Sequence, residues 1–512
     1  ALVTISDAGF ANTSATIAAS DLKNIGNATT GAVTVSNAVK VTGTQSDVTA
    51  ALVTEASKVT AATALVTISD AAFANTSSTI AASDLKNIGN ATSGTVTVSN
   101  LVKVTGNQAD VTAALVTEAS KVVFGTGNTL ADVTSAVTAA QGQAIAATTN
   151  ISAAFAGGVT DSVSNLYDTN NTAISTNYSA IKTEDADVVV TINDGAYDAG
   201  NNNVTIAAAK LSAIGNATTG AVTVSSAVKI SGTQSAVTGA LVTEASKVTA
   251  ATALVTISDA AFANTAATIA ASDLKNIGNA TTGAVTVSNA VKVTGTQADV
   301  TAALVTEASK VSAGSALVTI SDAGFANTSA TIAASDLKNI GNATTGAVTV
   351  SNAVKVTGTQ SDVTAALVTE ASKVTAATAL VTISDAGFAN TSATIAASDL
   401  KNIGNATSGA VTVSNAVKVT GTQSDVTAAL VTEASKVSAG SALVTISDAG
   451  FANTSATIAA SDLKNIGNAT TGAVTVSNAV KVTGTQSDVT AALVTEASKV
   501  TAATALVTIS DA

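Results

Sequence analysis

Four acidic residues, Asp7, Asp21, Asp47 and Glu55, stand at fixed spacing in a phrase that the chain repeats many times. Paired carboxylates can act as general acid and base, and several together can bind calcium. The sequence contains no His, Cys or Arg, so it lacks the groups that activate most enzymatic nucleophiles. Because a residue set repeated along a chain does not form one pocket, we predict that the protein is not an enzyme. We assign no catalytic or cofactor-binding residues and no cofactor.

We expect these acids to have structural roles. Asp7 is predicted to close a turn after a strand, and Asp47 is predicted to cap a helix. Calcium binding by the Asp series is the alternative, but the Gly-Gly-x-Gly-x-Asp nonapeptide of calcium-binding β-rolls is absent. We therefore predict no metal site. The denser acidic group of Glu184, Asp185 and Asp187 is expected to be a solvated loop.

Phenylalanine occurs once in each regular copy of the phrase, shortly after an alternating apolar and polar segment. Two arrangements are open: a corner residue tucked into the fold, which we favour, or an exposed aromatic ladder for lateral contacts. The positions are Phe10, Phe73, Phe262, Phe325, Phe388 and Phe451.

Small polar residues offer two kinds of surface chemistry. Asn12-Thr13-Ser14 and Asn27-Ala28-Thr29 match the pattern for N-glycosylation. Thr4 and Ser6 would form rows of hydroxyls on a strand face, together with their counterparts Thr34 and Ser36 in the matching half-repeat. Such rows could bind ice or a crystalline surface, although a solvated strand face is the simpler expectation.

The elements that position these residues must be repeated as well, because Ala1 to Thr63 returns almost unchanged. A repeat this regular predicts a stack of similar units, each burying its apolar face against its neighbours. Further starts at the same phase of the repeat are Ala64, Ala253, Ala316, Ala379, Ala442 and Ala505.

A weaker repeat lies inside each 63-residue unit. Val3 to Ala8 matches Val33 to Ala38 in the second half of the unit. This offset predicts coils of about 30 residues, two in each repeat. Residues 2–6 and 33–36 alternate apolar and polar side chains, which is the period of a half-buried strand. Val39 to Gly43 is predicted to be a second short strand.

Each coil is also expected to contain a helical segment. The stripes with helical spacing are Ala18, Leu22 and Ile25 in the first half and Val48, Leu52, Ala56 and Val59 in the second. Gly26 stands where a C-cap would end the first helix, Thr44 to Asp47 has the form of a capping box, and Gly31 and Gly43 are expected at turns. We therefore predict a repeat solenoid, β-rich with parallel strands and short helical segments. The alternative is an all-β solenoid.

Residues 123–187 lose the obvious repeat but keep its phase. Gly157 to Thr160 stands two full repeats after Gly31 to Thr34, and Tyr178 stands two full repeats after Leu52. We predict solenoid repeats over 1–126, a degenerate in-phase repeat over 127–189, and continuing repeats, truncated at the end, over 190–512. Together they are expected to form one continuous rod.

Composition argues against several partners. The net charge is −12 and all 22 basic residues are Lys, which disfavours nucleic acid. Without Cys there is no disulfide and no thiolate metal site. No apolar run approaches the roughly 20 residues that span a bilayer. A hydrophobic content of 46%, mostly Ala and Val, suits a narrow core.

The segments Ala18 to Leu22, Ala28 to Val33 and Val41 to Leu52 resemble long repeats of giant cell-surface and secreted proteins of marine cyanobacteria and related bacteria. Those repeats carry a phrase AADLNxLxxxTTGxV followed by VTxLTGTxADVxxAL. The resemblance covers every regular copy and implies a very long extracellular solenoid linked to surface coats, adhesion or motility. This chain departs from it in the near identity of its copies and in Lys23, Lys40 and Lys58, one of each per copy.

We therefore expect a structural protein, a rod segment of an extracellular filament or giant bacterial cell-surface protein. Its expected partner is itself, either head to tail or in a covalently continuous array, because no polar capping repeat is visible. Surface glycans are a second candidate partner. The alternative function is a repetitive-surface binding module for ice, glycan or mineral, or an adhesin stalk.

Overall fold

A computed structural model describes residues 1–511 apart from a set of short segments, nearly all of which recur at equivalent places in the repeats. These segments are 13–15, 55–58, 76–78, 118–121, 126, 171, 244–247, 265–266, 307–310, 328, 370–373, 390–391, 433–436, 453–454 and 496–499. Glu55, Ala56 and Lys58, which the sequence analysis singled out, therefore lie outside the described residues.

Each regular repeat contains five short strands in a fixed order. The first is β1 (Val3–Ile5), β6 (Leu65–Ile68), β21 (Leu254–Ile257), β26 (Leu317–Ile320), β31 (Leu380–Ile383), β36 (Leu443–Ile446) or β41 (Leu506–Ile509). The second is β2 (Thr16–Ala18), β7 (Thr79–Ala81), β17 (Thr205–Ala207), β22 (Thr268–Ala270), β27 (Thr331–Ala333), β32 (Thr394–Ala396) or β37 (Thr457–Ala459). The third is β3 (Val33–Val35), β8 (Val96–Val98), β18 (Val222–Val224), β23 (Val285–Val287), β28 (Val348–Val350), β33 (Val411–Val413) or β38 (Val474–Val476).

The last two strands follow the same pattern. The fourth is β4 (Lys40–Gly43), β9 (Lys103–Gly106), β19 (Lys229–Gly232), β24 (Lys292–Gly295), β29 (Lys355–Gly358), β34 (Lys418–Gly421) or β39 (Lys481–Gly484). The fifth is β5 (Val59–Thr60), β10 (Val122–Phe124), β20 (Val248–Thr249), β25 (Val311–Ser312), β30 (Val374–Thr375), β35 (Val437–Ser438) or β40 (Val500–Thr501).

Two helices complete each repeat. The longer follows the second strand: α1 (Ala19–Asn27), α3 (Ala82–Ala91), α8 (Ala208–Ala217), α10 (Ala271–Ala280), α12 (Ala334–Ala343), α14 (Ala397–Ala406) or α16 (Ala460–Ala469). The shorter follows the fourth strand: α2 (Gln45–Thr49), α4 (Gln108–Val111), α9 (Gln234–Thr238), α11 (Gln297–Thr301), α13 (Gln360–Thr364), α15 (Gln423–Thr427) or α17 (Gln486–Thr490). Each shorter helix continues into a π-helical turn, such as Ala365–Thr369 after α13. Single 3₁₀ turns occur at Phe10–Asn12, Phe73–Asn75 and Phe262–Asn264.

Residues 127–192 are built differently. Their strands are β11 (Thr129–Val133), β12 (Ile151–Ala154), β13 (Val159–Asp161), β14 (Tyr167–Asp168), β15 (Ala173–Ile174) and β16 (Val190–Ile192). Their helices are α5 (Ala139–Ala146), α6 (Val163–Leu166) and α7 (Thr176–Glu184). β11 pairs in parallel with β9, and β16 pairs in parallel with β13 and β18, so parallel pairing joins this segment to regular strands on both sides.

The described chain forms two compact units. The first comprises Ala1–Val255 with Ala280–Gly283, and its sheets include the strand orders β1-β3-β5, β2-β4-β6-β8-β10 and β7-β9-β11-β12. The second comprises Thr256–Asn279 with Ala284–Ala512, and its sheets include β22-β24-β26-β28-β30, β27-β29-β31-β33-β35 and β32-β34-β36-β38-β40. The chain is thus a repeat solenoid of stacked parallel strands with short helices, as predicted, and the all-β alternative is wrong.

Strand register shows how the repeat relates to the coil. Val318 pairs with Val348 and Val348 with Val374, so two coils carry the chain from Val318 to Val374. The counterpart of Val318 in the next repeat is Val381, which lies further along the chain and pairs with Val356 in the neighbouring sheet. Equivalent strands of successive repeats therefore belong to different sheets, so the repeat is not a whole number of coils, and the prediction of two coils in each repeat is wrong.

The core is narrow and aliphatic. Val348, Val356, Leu337 and Ile340 have no exposed surface, and each comes from the apolar side of its strand or helix. Burying each of these side chains stabilises the fold by roughly 1.5–3 kcal/mol. The alternation of Val with Thr in β28 thus acts as predicted, with Val inside and Thr outside.

Three further details differ from the predictions. Val59 continues the spacing of the second helical stripe, yet it lies in strand β5. Gly26 is inside α1 rather than at its C-cap, which is Ala28. The second strand of each repeat, β2 and its copies, was not predicted because Thr16–Ala18 contains no apolar and polar alternation long enough to recognise.

Candidate functional site

The counterparts of Asp7 in later repeats, here called the Asp7 series, bind the N-terminus of a helix in the preceding coil. In the second unit, the Asp385 carboxylate accepts the Gln360 backbone N–H at 2.5 Å, and Gln360 is the first residue of α13. Asp70, Asp322, Asp448 and Asp511 make the same contact in their copies. The prediction that this Asp closes its own turn is therefore wrong. A carboxylate at this place satisfies an otherwise unpaired N–H and complements the helix dipole.

The Asp21 series is bound by the same helix. The Gln360 side-chain amide donates to the Asp399 carboxylate at 2.9 Å and to the Thr364 hydroxyl at 2.8 Å. Asp399 lies in α14 of the following coil, so one glutamine joins two coils. Gln45, Gln297 and Gln423 repeat the arrangement.

The Asp47 series forms an ion pair with the Lys23 series. Lys338 Nζ lies 2.7 Å from Asp362 Oδ1, and both side chains are about one-third exposed. The N-cap of α13 is Thr359, whose hydroxyl accepts the Asp362 N–H and donates to its carboxylate. The predicted capping box is thus confirmed at its N-cap threonine, whereas Asp362, the counterpart of Asp47, lies in the first helical turn and is not itself the cap. The hydrogen bond from Lys338 is the main cause that lowers the pKa of Asp362, and the Thr359 hydroxyl acts in the same direction.

Hydroxyl groups also join successive coils. Thr344, the counterpart of Thr29, is buried, donates to the Ala316 carbonyl at 2.6 Å and accepts the Gly346 N–H at 3.0 Å. Ser351, the counterpart of Ser36, donates to the Ile320 carbonyl. The Thr of the Asn27-Ala28-Thr29 sequence pattern is therefore part of the stack. Thr13 and Ser14 of the other pattern lie outside the described residues.

The phenylalanines are at the surface. Phe325 is 38% exposed, and its counterparts in the other regular copies are 37–45% exposed. The prediction that they are tucked into the fold is wrong. Their backbone is nevertheless fixed, because the Phe325 N–H donates to the Ala353 carbonyl at 2.7 Å.

The acidic group at the end of α7 is tied to a strand of the preceding coil. The Asp185 carboxylate accepts the Phe155 N–H at 2.6 Å and the Glu184 carboxylate accepts the Ala153 N–H. Burial raises the pKa of Asp185, and the neighbouring Asp187 raises it further. Across the described part of the chain, no three acidic side chains converge where a metal ion could bind. None of the described helices has the length and apolar character that crossing a bilayer requires.

A polar cleft of about 550 Å³ lies in the first unit, in the segment that departs from the repeat. Asp161 forms part of its wall and is only 7% exposed. Its carboxylate accepts hydrogen bonds from the Ala139 and Ser162 N–H groups and from the Asn165 side chain, at 2.7–2.9 Å. The sequence analysis did not identify Asp161, although alignment with the first repeat places an Asp here where Val35 is buried.

Comparison with known proteins adds little to this description. No protein-family model and no curated protein sequence matches the chain. Among solved structures, the chain is similar to the leucine-rich-repeat ectodomain of the Arabidopsis receptor kinase HAESA in complex with an N-terminally extended IDA peptide hormone. That match has a TM-score of 0.16 and 9% identity, and covers 95% of this chain and 89% of that chain. The class of repeat solenoid rests on the strand pairing and helices of the chain itself.

Proposed function

We propose that the chain is a structural segment of an extracellular or cell-surface protein, in which the repeats serve as a spacer. The observation that carries the proposal is the use of its recurring polar side chains. Lys338 forms an ion pair with Asp362 of the neighbouring coil. Gln360 donates a hydrogen bond to Asp399, and Thr344 donates one to the Ala316 carbonyl, and each of these bonds also joins two successive coils. Groups that could have converged on a reaction centre instead hold the stack together.

The same contacts argue for a structural stack rather than a catalyst. Neighbouring regular coils are joined by side-chain hydrogen bonds in addition to the strand hydrogen bonds, such as Asn352 to Asp322 and Gln360 to Asp385. A stack whose units contact only their neighbours can be lengthened by adding units without changing any local contact. We propose no enzymatic role, and we propose self-association or covalent continuation as the way such a segment reaches its working length.

The resemblance to giant bacterial surface proteins supports the proposed location, because those proteins use long repeats outside the cell. A low content of charge and the absence of Cys are compatible with that setting. The narrow Val, Ile and Ala core needs no disulfide, since each coil is held by two neighbours.

Surface location is tested with antibodies raised against this chain and applied to cells of its source organism. Labelling of intact cells supports the proposal, whereas labelling only after permeabilisation contradicts it. Electron microscopy and mass measurement of the native protein test the spacer role. Extended particles or filaments are expected, with a mass well above 49.1 kDa for a covalent array and near it for self-assembled segments. Compact, non-associating particles contradict a spacer.

A second function is favoured by one observation, a column of hydroxyls on parallel strands. Thr357, Thr382, Thr412 and Ser438 are in register across four neighbouring strands of the second unit. Strands in a sheet lie about 4.8 Å apart, so these hydroxyls repeat at a regular spacing that could match ice, glycan or mineral surfaces.

A thermal-hysteresis measurement tests whether the surface binds ice. The native protein is expected to lower the freezing temperature, and a Thr382→Val, Thr412→Val variant is expected to lose this effect. Absence of hysteresis in the native protein excludes ice binding.

A further inference from the structure

The polar cleft lies where the degenerate segment departs from the regular strand pattern. In the first repeat, β4 runs over Lys40–Gly43 and buries Val41 completely. The equivalent positions two repeats later are 166–169, where the chain ends α6 and enters a two-residue strand, β14. β14 pairs antiparallel with β15 instead of joining the parallel stack, and Thr172 between them has a φ of 51°. The hairpin therefore lies outside the parallel stack, and Tyr167, Asp168 and Thr169 from it line the cleft.

The groups that line this space are suited to a neutral ligand. Asp161 already accepts three hydrogen bonds from the chain, which occupy most of the lone pairs of its carboxylate. An anionic ligand would lie near the carboxylates of both Asp161 and Asp168. The lining also includes the amides of Asn170 and Asn177 and the hydroxyl of Thr176. Amide and hydroxyl groups both donate and accept, as the hydroxyls of a ligand do.

An aromatic ring completes the lining. Tyr167 is half-buried at the cleft, and Lys210 Nζ lies 5.6 Å from the centre of its ring and 3.3 Å from the Thr169 hydroxyl. These contacts hold the ring and the hairpin against the body of the coil. A fixed aromatic ring beside convergent amides offers both an apolar surface and hydrogen-bonding groups.

We propose that this cleft binds a saccharide. A sugar ring presents apolar C–H faces to an aromatic side chain and hydroxyls to amides, which are the two kinds of surface that Tyr167 and Asn177 provide. The volume of about 550 Å³ is within the range of small-molecule sites. The inference goes beyond the spacer function, because it gives one aperiodic segment a recognition role on a periodic support.

The test is ligand-observed NMR and calorimetry of the whole chain with glucose, galactose, mannose and N-acetylglucosamine. At least one sugar is expected to bind with a dissociation constant of about 1 mM or tighter. Tyr167→Ala and Asn177→Ala are each expected to weaken binding at least about tenfold. Tyr197→Ala is the matched control, because Lys229 Nζ lies 5.0 Å from the Tyr197 ring in the same way but outside the cleft.

Several outcomes overturn the proposal. These are the absence of binding by all four sugars, or equal binding by the Tyr167→Ala and Tyr197→Ala proteins. If Tyr167→Ala fails to fold, Tyr167→Phe replaces it together with Asn177→Ala. Tyr167→Phe keeps the ring and is expected to keep binding, whereas loss of binding in Tyr167→Phe with retention in Asn177→Ala contradicts the proposed roles. Competition between the bound monosaccharide and a polysaccharide that contains it shows whether the site recognises free sugar or a polymer.

Discussion

At the scale of single residues, glycine sets how closely successive coils approach. A Cβ atom on Gly346 would overlap the Ala316 carbonyl oxygen of the preceding coil. The sequence pattern predicts a turn at Gly346 and its counterparts. The structure shows that glycine is needed there because two backbones pack too closely to leave room for a Cβ atom. Thr344 uses the same close approach, since its hydroxyl donates to the Ala316 oxygen at 2.6 Å. Gly31, Gly94, Gly283, Gly409 and Gly472 face the equivalent carbonyl.

We expect Gly346→Ala to lower the free energy of unfolding by about 1–3 kcal/mol, because the added methyl group must push two backbones apart. Gly440→Ala is the matched control, since no described atom lies within 4 Å of a Cβ there. That change is expected to be neutral or to stabilise by up to about 1 kcal/mol. Urea unfolding of both variants measures the difference. Equal midpoints for the two variants would show that the coils can separate at no cost.

Asp161 illustrates what residue patterns can and cannot predict. Its position in the repeat is available from the sequence, because it stands two full repeats after Val35. The acidic side chain at a buried position is a signal that the local structure departs from the repeat. The reason it is tolerated is not available, since the Ala139 N–H that it accepts belongs to a helix 22 residues earlier. Likewise, the hairpin of β14 and β15 has no recognisable alternation or Asn-Gly turn.

At the scale of elements, alternation correctly predicts the strands that it marks, whereas the second helical stripe extends into a strand. Val348 and Val350 flank Thr349, and both are buried in β28 as the pattern requires. Val59 also fits a helical stripe, but it lies in a strand, and spacing alone does not distinguish the two. The carboxylate that meets the N-terminus of α13 comes from Asp385, 25 residues later. The length of a coil determines which residue meets the helix from the next coil. The sequence shows the length of the repeat but does not directly show the length of a coil.

The ion pairs at the shorter helices make stability depend on pH. The pKa of Asp362 lies below its ordinary value of 3.8, mainly because of the Lys338 hydrogen bond. A carboxyl with a lowered folded-state pKa stabilises the fold above its unfolded pKa, and this contribution is lost as the pH falls through the folded value. The pKa values of Asp47, Asp110, Asp299, Asp425 and Asp488 are lowered in the same direction. We therefore expect the melting temperature to decrease when the pH is lowered below about 4.

Lysine variants test the cause of this acid sensitivity. Changing Lys275, Lys338, Lys401 and Lys464 to Gln removes the partners of four lowered carboxyls. The matched control changes Lys292, Lys355, Lys418 and Lys481 in the fourth strands, which removes the same charge. The variant without the four paired lysines is expected to lose less stability than the wild type when the pH is lowered from neutral to acidic. The control variant is expected to lose as much stability as the wild type over the same pH change. The same pH difference in both variants would show that net charge, rather than the pairs, is responsible.

At the scale of the whole molecule, the unit of construction is the 63-residue repeat and not the coil. Two coils end at Val374, and the next strand, β31, joins the neighbouring sheet, where Val381 pairs with Val356 of β29. A bond such as Gln360 to Asp399 spans 39 residues and crosses from one repeat into the next. These partners remain matched only when the chain is lengthened or shortened by whole repeats.

A pair of deletions tests this rule. Removing 316–378 takes out one repeat and leaves each remaining contact with an identical partner, since Gln297 would meet Asp385 in place of Asp322. The melting temperature is then expected to stay within about 2 °C of the wild-type value, while the urea dependence of the unfolding free energy falls roughly in proportion to the lost length.

Removing 318–347, which also joins two strand segments, deletes α12 together with Asp322 and Lys338 and leaves Gln297 and Asp362 without their partners. That variant is expected to melt about 5 °C or more below the wild type, or to aggregate, because no neighbouring coil supplies equivalent groups. Thermal unfolding of the two deletions decides the matter: equal melting temperatures would mean that the coil, and not the repeat, is the unit that the fold preserves.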